Sequence, residues 1–114
     1  MKAVFPAIGG LCVGLLASPA LAAPVCTFTE ECYMSLGCEP TDWELTVDHK
    51  AGRIMTIAET LDILHVEDGQ AQQIVARGPG ALHLLTIGTN TALYTLHIGA
   101  GPASVTYFGT CGDE

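Results

Sequence analysis

Two imidazoles and four thiols are the residues of this chain whose types and spacing could do chemistry. His83 and His97 fall in two consecutive short runs, residues 81–87 and 92–98. A three-residue loop, Gly88-Thr89-Asn90 with Asn90 left-handed, makes these runs a hairpin. On that register both histidines share one face, opposite or diagonal to each other. Two imidazoles on neighbouring strands can ligate a transition metal, copper or zinc in an exported protein. A third ligand is needed. His65 has the right type but lies in a run that a meander does not place alongside, and His49 sits in a turn. No other cofactor is expected.

The thiols are Cys26, Cys32, Cys38 and Cys111; a fifth, Cys12, lies in the apolar N-terminal segment. The sequence has no C-x-x-C, which argues against a redox pair or a zinc knuckle. An even set in a short exported chain reads as two disulfides. Four cysteines allow three connectivities, and the preferred one is Cys32–Cys38 as a local loop with Cys26–Cys111 joining the ends of the domain.

The face assigned to the histidines also carries Leu85, Ile87, Leu93 and Phe108. Exposed, those four would make an interaction patch; covered, they are core. Glu59, Asp62, Glu67 and Asp68 lack the ordered oxygen spacing of a calcium loop and read as a solvated face. No G-x-S-x-G, H-E-x-x-H or phosphate-cradling glycine loop is present, so no catalytic residue is assigned and the chain is not expected to be an enzyme.

These side chains need elements to position them. From Trp43 onward, short apolar runs alternate with turn residues: 43–48, 53–58, 61–67, 72–77, 81–87, 92–98 and 103–110. Turn signals at such regular intervals predict an all-β antiparallel meander, a barrel or sandwich of about seven to eight strands. Helix is the competitor over residues 57–67. In the last hairpin a loop over Gly99, Ala100, Gly101 and Pro102 sets Ile98, Leu96 and Tyr94 opposite Ala103, Val105 and Tyr107, all facing inward. On the register used above, Leu82 and Leu84 join them. In the first hairpin, Gly52 at positive φ sets Asp48 opposite Arg53 and Val47 opposite Ile54. The Gly78-Pro79-Gly80 hairpin allows two registers. Residues 26–29 alternate like a strand, and residues 32–40 read as an irregular loop. Pairing the opening strand with the closing one would close a barrel and bring Cys26 to Cys111.

The 114 residues suffice for one domain. The chain opens on Lys2, an apolar stretch over residues 4–17, a helix-breaking Ser18-Pro19 pair and then Ala20-Leu21-Ala22. This is the pattern of a bacterial-type signal peptide over residues 1–22, cleaved after Ala22 or Ala23. The stretch is shorter than the roughly 20 apolar residues of a bilayer span. Residues 23–114 are then a single disulfide-stabilised β domain, periplasmic or secreted, with no stable membrane insertion. Beyond the leader three basic residues, Lys50, Arg53 and Arg77, face twelve acidic ones, a net charge of −9 with neutral histidines. That charge repels nucleic acid and suits a cationic protein.

In size, export signal and meander the chain is similar to the small periplasmic inhibitors of lysozyme, which implies a basic protein as partner and assigns no residue a role. The expected function is a non-catalytic envelope module that binds a protein or small ligand. The alternatives are a periplasmic metal-binding protein using His83 and His97, and a structural subunit of an envelope assembly.

Overall fold

A computed structural model describes residues 23–113; the leader expected over residues 1–22 lies outside the described residues. The strands in chain order are β1 (Pro24–Tyr33), β2 (Gly37–Asp48), β3 (Arg53–Thr56), β4 (Thr60–Asp68), β5 (Gln72–Gly78), β6 (Ala81–Ile87), β7 (Ala92–Ile98) and β8 (Ala103–Asp113). Each pairs antiparallel with its sequence neighbours, and β1 also pairs with β8, so the meander closes into an eight-stranded barrel. Both expected disulfides are formed, Cys26–Cys111 and Cys32–Cys38. The segment where helix competed is β4, because Leu61 and Ile63 alternate with the exposed Asp62 and turn towards the core.

Period-two alternation drives the closure. Phe28, Leu45, Val47, Ile54, Leu61, Ile74 and Tyr94 are fully buried. Trp43 and Tyr107 pack against them from the partly open end. Four aromatic rings stack inside: Trp43 lies 5.0 Å from Tyr107 and 5.4 Å from Tyr94, and Phe28 lies 5.6 Å from Tyr94. Such pairs contribute about 0.5–1.5 kcal/mol each beyond their buried area. The last hairpin has the expected register, with Tyr94 opposite Tyr107, Leu96 opposite Val105 and Ile98 opposite Ala103. The first hairpin does too, with Asp48 opposite Arg53 and Gly52 at φ 72°. At Gly78-Pro79-Gly80 the strands meet at Gly78 opposite Ala81, which leaves Pro79 and a positive-φ Gly80 as the turn.

Two expectations are corrected. The loop between β6 and β7 holds four residues, Gly88 to Thr91, closed by a 2.8 Å bond from the Gly88 amide to the Thr91 carbonyl. Ile87 therefore faces Ala92, Leu85 faces Tyr94 and His83 faces Leu96. Relative to a three-residue loop this is a slip of one residue, which turns every side chain of β6 over. Leu82 and Leu84 point outward; Leu85 and His83 are inside. Residues 32–40, expected as irregular loop, are instead the end of a β1–β2 hairpin, with Cys32 opposite Cys38 and Tyr33 opposite Gly37. Both faces of that ribbon meet solvent near its tip, so no apolar alternation marks it as strand.

The up-and-down order puts the β1–β2, β3–β4, β5–β6 and β7–β8 turns on one rim, the upper rim. The chain ends and the remaining turns lie on the lower rim. Cys26, fully buried, bonds Cys111 near the lower rim and ties the first strand to the last.

Candidate functional site

The upper rim carries the features that could receive a partner. There β1 and β2 run on as a ribbon past a register shift between Phe28 and Glu30. The tip turns through Met34 at φ 43° and Gly37 at φ 101°, with the Leu36 amide donating to the Tyr33 carbonyl at 2.7 Å. Directly behind it the Cys32–Cys38 disulfide clamps the two strands. The clamped tip presents Tyr33, Met34 and Leu36 to solvent at 43%, 62% and 85% exposure. Leaving large apolar side chains in water forgoes roughly 1.5–3 kcal/mol for each that could have been buried. Exposed apolar groups in a clamped turn are a usual mark of a contact surface.

The flanks of this ribbon are acidic. Glu30, Glu39, Asp42 and Glu44 are exposed, and Glu31 is half-buried with its carboxylate accepting the Tyr107 hydroxyl at 3.1 Å. Tyr107 consequently holds its proton up to about 12, because burial and the Glu31 charge both oppose the phenolate. No lysine or arginine falls between residues 24 and 49.

Three concavities open on the same rim. One of about 650 Å³ runs beside β2 and is lined by Asp42, Trp43, Glu44, Met55 and Ile57 among others. Another of about 470 Å³ lies between the β5–β6 and β7–β8 turns and touches His97. A third of about 240 Å³ joins Met34 of the tip to Pro102 and Ser104.

Inside the barrel, just below this rim, His83 stacks on Tyr94, and its Nδ1 is hydrogen-bonded to the Tyr94 hydroxyl. His83 Nε2 is buried without a partner. Glu59 reaches towards it from the β3–β4 turn. That turn is fixed by Thr56, whose hydroxyl donates to the Glu59 carbonyl at 2.9 Å and accepts from the Ala58 and Glu59 amides. Gly78 makes the room: a Cβ there would lie 2.6 Å from Leu61 Cδ2, 3.1 Å from His83 Nε2 and 3.5 Å from a Glu59 oxygen. Burial lowers the His83 pKa, and the Glu59 charge partly opposes this. Burial, with Glu59 and Tyr107 adding to it, raises that of Tyr94. Both groups are thereby held neutral at neutral pH. An activated phenolate would need the reverse shift.

The residues expected to act together are separated. His83 points into the barrel opposite Leu96, whereas His97 points outward between Leu82 and Ser104. They stand on opposite faces of the wall, so the two imidazoles cannot share one metal ion. The reason is the one-residue slip of β6. His65 is also outward and bonds Glu67 at 2.8 Å. The atoms of Glu30, Cys32 and Cys38 do converge within 4.8 Å, but the two sulfurs are bonded to each other and offer no thiolate. The expected patch divides the same way. Leu93 and Phe108 are paired on the outside at 38% exposure each, while Leu85 is fully buried and Ile87 packs against the core. Outside, Leu93 and Phe108 are joined by Leu82 and Leu84, so an apolar strip does cross β6, β7 and β8 with different members. Of the acidic segment, Asp62, Glu67 and Asp68 are exposed, and Glu59 is half-buried.

The tip residues Tyr33, Met34 and Leu36 carried no role in the sequence. The available signal was the short Cys32–Cys38 spacing around a stretch with three large apolar residues and no charge. Comparison of the chain with family models, curated proteins and solved structures finds no match.

Proposed function

We propose that this protein is a non-catalytic, exported binding module whose upper rim docks a cationic protein. The observation that carries the reading is the disulfide-clamped β1–β2 tip, with Tyr33, Met34 and Leu36 exposed at the end of an acid-flanked ribbon. A clamped turn loses little conformational entropy on binding, so its apolar side chains can act as anchors. The surrounding carboxylates steer a basic partner and repel acidic ones. Periplasm or extracellular space fits a domain whose four cysteines among the described residues are all used in bonds.

The test is capture from native envelope extract by the oxidised protein, compared with a Met34→Ser/Leu36→Ser variant. A basic protein retained by the wild type and lost with the variant is expected. The same proteins retained by both would overturn the reading, as would retention of acidic proteins only. Lysozyme turnover in low salt tests the inhibitor form separately.

A second reading, a structural subunit of an envelope assembly, draws on the outer strip of Leu82, Leu84, Leu93 and Phe108. Light scattering after size-exclusion chromatography separates the two: a monomer removes self-assembly through that strip.

A further inference from the structure

The barrel wall has a gap beside β2. β3 pairs with β2 only from Leu45 opposite Thr56 to Asp48 opposite Arg53. Residues 37–44 of β2 thus have β1 on one side, with a register shift that leaves Thr41 and Asp42 without direct partners there, and, among the described residues, no strand on the other. A strand with one free side offers a row of amides and carbonyls that want partners. Along this stretch lies the 650 Å³ groove, lined by Asp42, Trp43 and Glu44 of β2 and by Met55 and Ile57, the latter 90% exposed.

Resting on the proposed docking of a cationic protein, we propose that the free edge of β2 over residues 41–44 accepts an extended basic segment of that partner as an added β-strand. Main-chain hydrogen bonds would hold such a guest, and its alternate side chains would set specificity. Asp42 and Glu44 are exposed on the outer face of this edge and line the groove, while the Trp43 ring between them stacks inside the barrel mouth on Tyr107 and Tyr94. A guest with lysine or arginine at every second position places its cations opposite those carboxylates and turns its other side chains towards Trp43 at the barrel mouth. Pro40, which has no amide proton, ends the usable edge towards the tip.

The same charges exclude the competing occupant. A second copy of this chain pairing edge to edge would set Asp42 and Glu44 against their own counterparts, and like charges directly opposite are destabilising. β4 is also without a strand partner on its β3 side beyond Ile63, whose amide donates to the Gly52 carbonyl at 2.9 Å. Its outward side chains there are Leu64, His65 and Glu67, the last two bonded to each other, rather than a pair of carboxylates. It serves as the internal control.

The experiment uses the oxidised protein and two ten-residue peptides. One alternates lysine with valine; the other has proline in place of each valine, which keeps the charge and prevents strand pairing. Amide hydrogen exchange is followed residue by residue. With the lysine–valine peptide at about ten times its Kd, the outward amides of residues 41–44 should slow about tenfold, while residues 64–67 of β4 do not change. The proline peptide should protect neither segment, and Asp42→Asn/Glu44→Gln should weaken binding of the lysine–valine peptide about fivefold, the size expected for two exposed cross-strand charge pairs. Equal binding of both peptides, protection elsewhere, or no binding by either overturns the inference. Edge-to-edge dimers of the free protein overturn it as well. The peptides do not require the tip. If they fail while envelope capture still depends on Met34 and Leu36, this inference falls and the docking reading stands.

Discussion

His83 is the residue whose chemistry the fold spends most on controlling. Its ring is buried, one nitrogen is bonded to Tyr94, and the other faces Gly78 and Glu59 without a partner. Burial holds its pKa below the ordinary 6.5 despite the Glu59 charge. The folded state therefore resists the proton more than the unfolded chain does. Its contribution to stability is complete above pH 6.5 and is lost as pH falls through the lower, folded-state value. Denaturant unfolding at a series of pH values should show wild type losing more stability below pH 6.5 than His83→Gln, which cannot titrate. Parallel curves would contradict this. Two glycines belong to the same scale. At Gly109 a Cβ would sit 1.9 Å from the Thr27 carbonyl oxygen, which is backbone and cannot rotate away. Gly78 is crowded by side chains that can partly move. Gly109→Ala should cost about 3 kcal/mol or more and Gly78→Ala about 1–3 kcal/mol. Thermal unfolding in that reverse order would refute the packing account.

The elements divide labour between the two disulfides. Cys26–Cys111 joins residues 85 apart in sequence and ties the closing seam of the barrel. The chain-entropy model gives it about 4–5 kcal/mol. Cys32–Cys38, 6 apart, is worth about 2–2.5 kcal/mol by the same rule. Replacing both partners of each bond by serine should therefore unfold the barrel far more readily at the seam. The tip variant should keep the barrel and lose partner capture. A tip variant that unfolds as easily as the seam variant would argue that the ribbon is a structural prop. Pattern made the outer hairpins legible: Tyr94, Leu96 and Ile98 had only one sensible set of partners in Tyr107, Val105 and Ala103. Strand β6 was ambiguous because ALHLLTI is apolar on both parities. Leu82 and Leu84 compete there with Leu85 and Ile87, and loop length decides. A histidine inside would look unfavourable from sequence alone; it is stabilised by the Tyr94 hydroxyl, which itself needs a partner once buried. The β1–β2 ribbon was hidden for the opposite reason, since a strand solvated on both faces has no alternation to read.

At the scale of the whole molecule, the barrel is sealed low and open high. Aliphatic side chains and the Cys26–Cys111 bond fill the lower half, while half-buried Trp43, Tyr107 and Glu31 mark the upper opening. Small barrels of this kind use their interior as packing, so the surface left for recognition is the rim and its projections. Glu30, Glu31, Glu39, Asp42 and Glu44 lie on the projecting ribbon, which has no basic residue, whereas Lys50 lies in the β2–β3 turn, Arg53 near Asp62 at 3.8 Å, and Arg77 across the upper rim on β5. The carboxylates of the ribbon attract a basic protein towards the tip, an attraction that weakens with salt. The most direct measurement places a photo-crosslinking side chain at Leu36 and, in a second variant, at Thr89 on the lower rim, each in native envelope. A covalent adduct with one basic protein from position 36, and none from position 89, is the predicted result. Adducts of equal yield from both rims, or none from either, would contradict the assignment of the upper rim as the docking face.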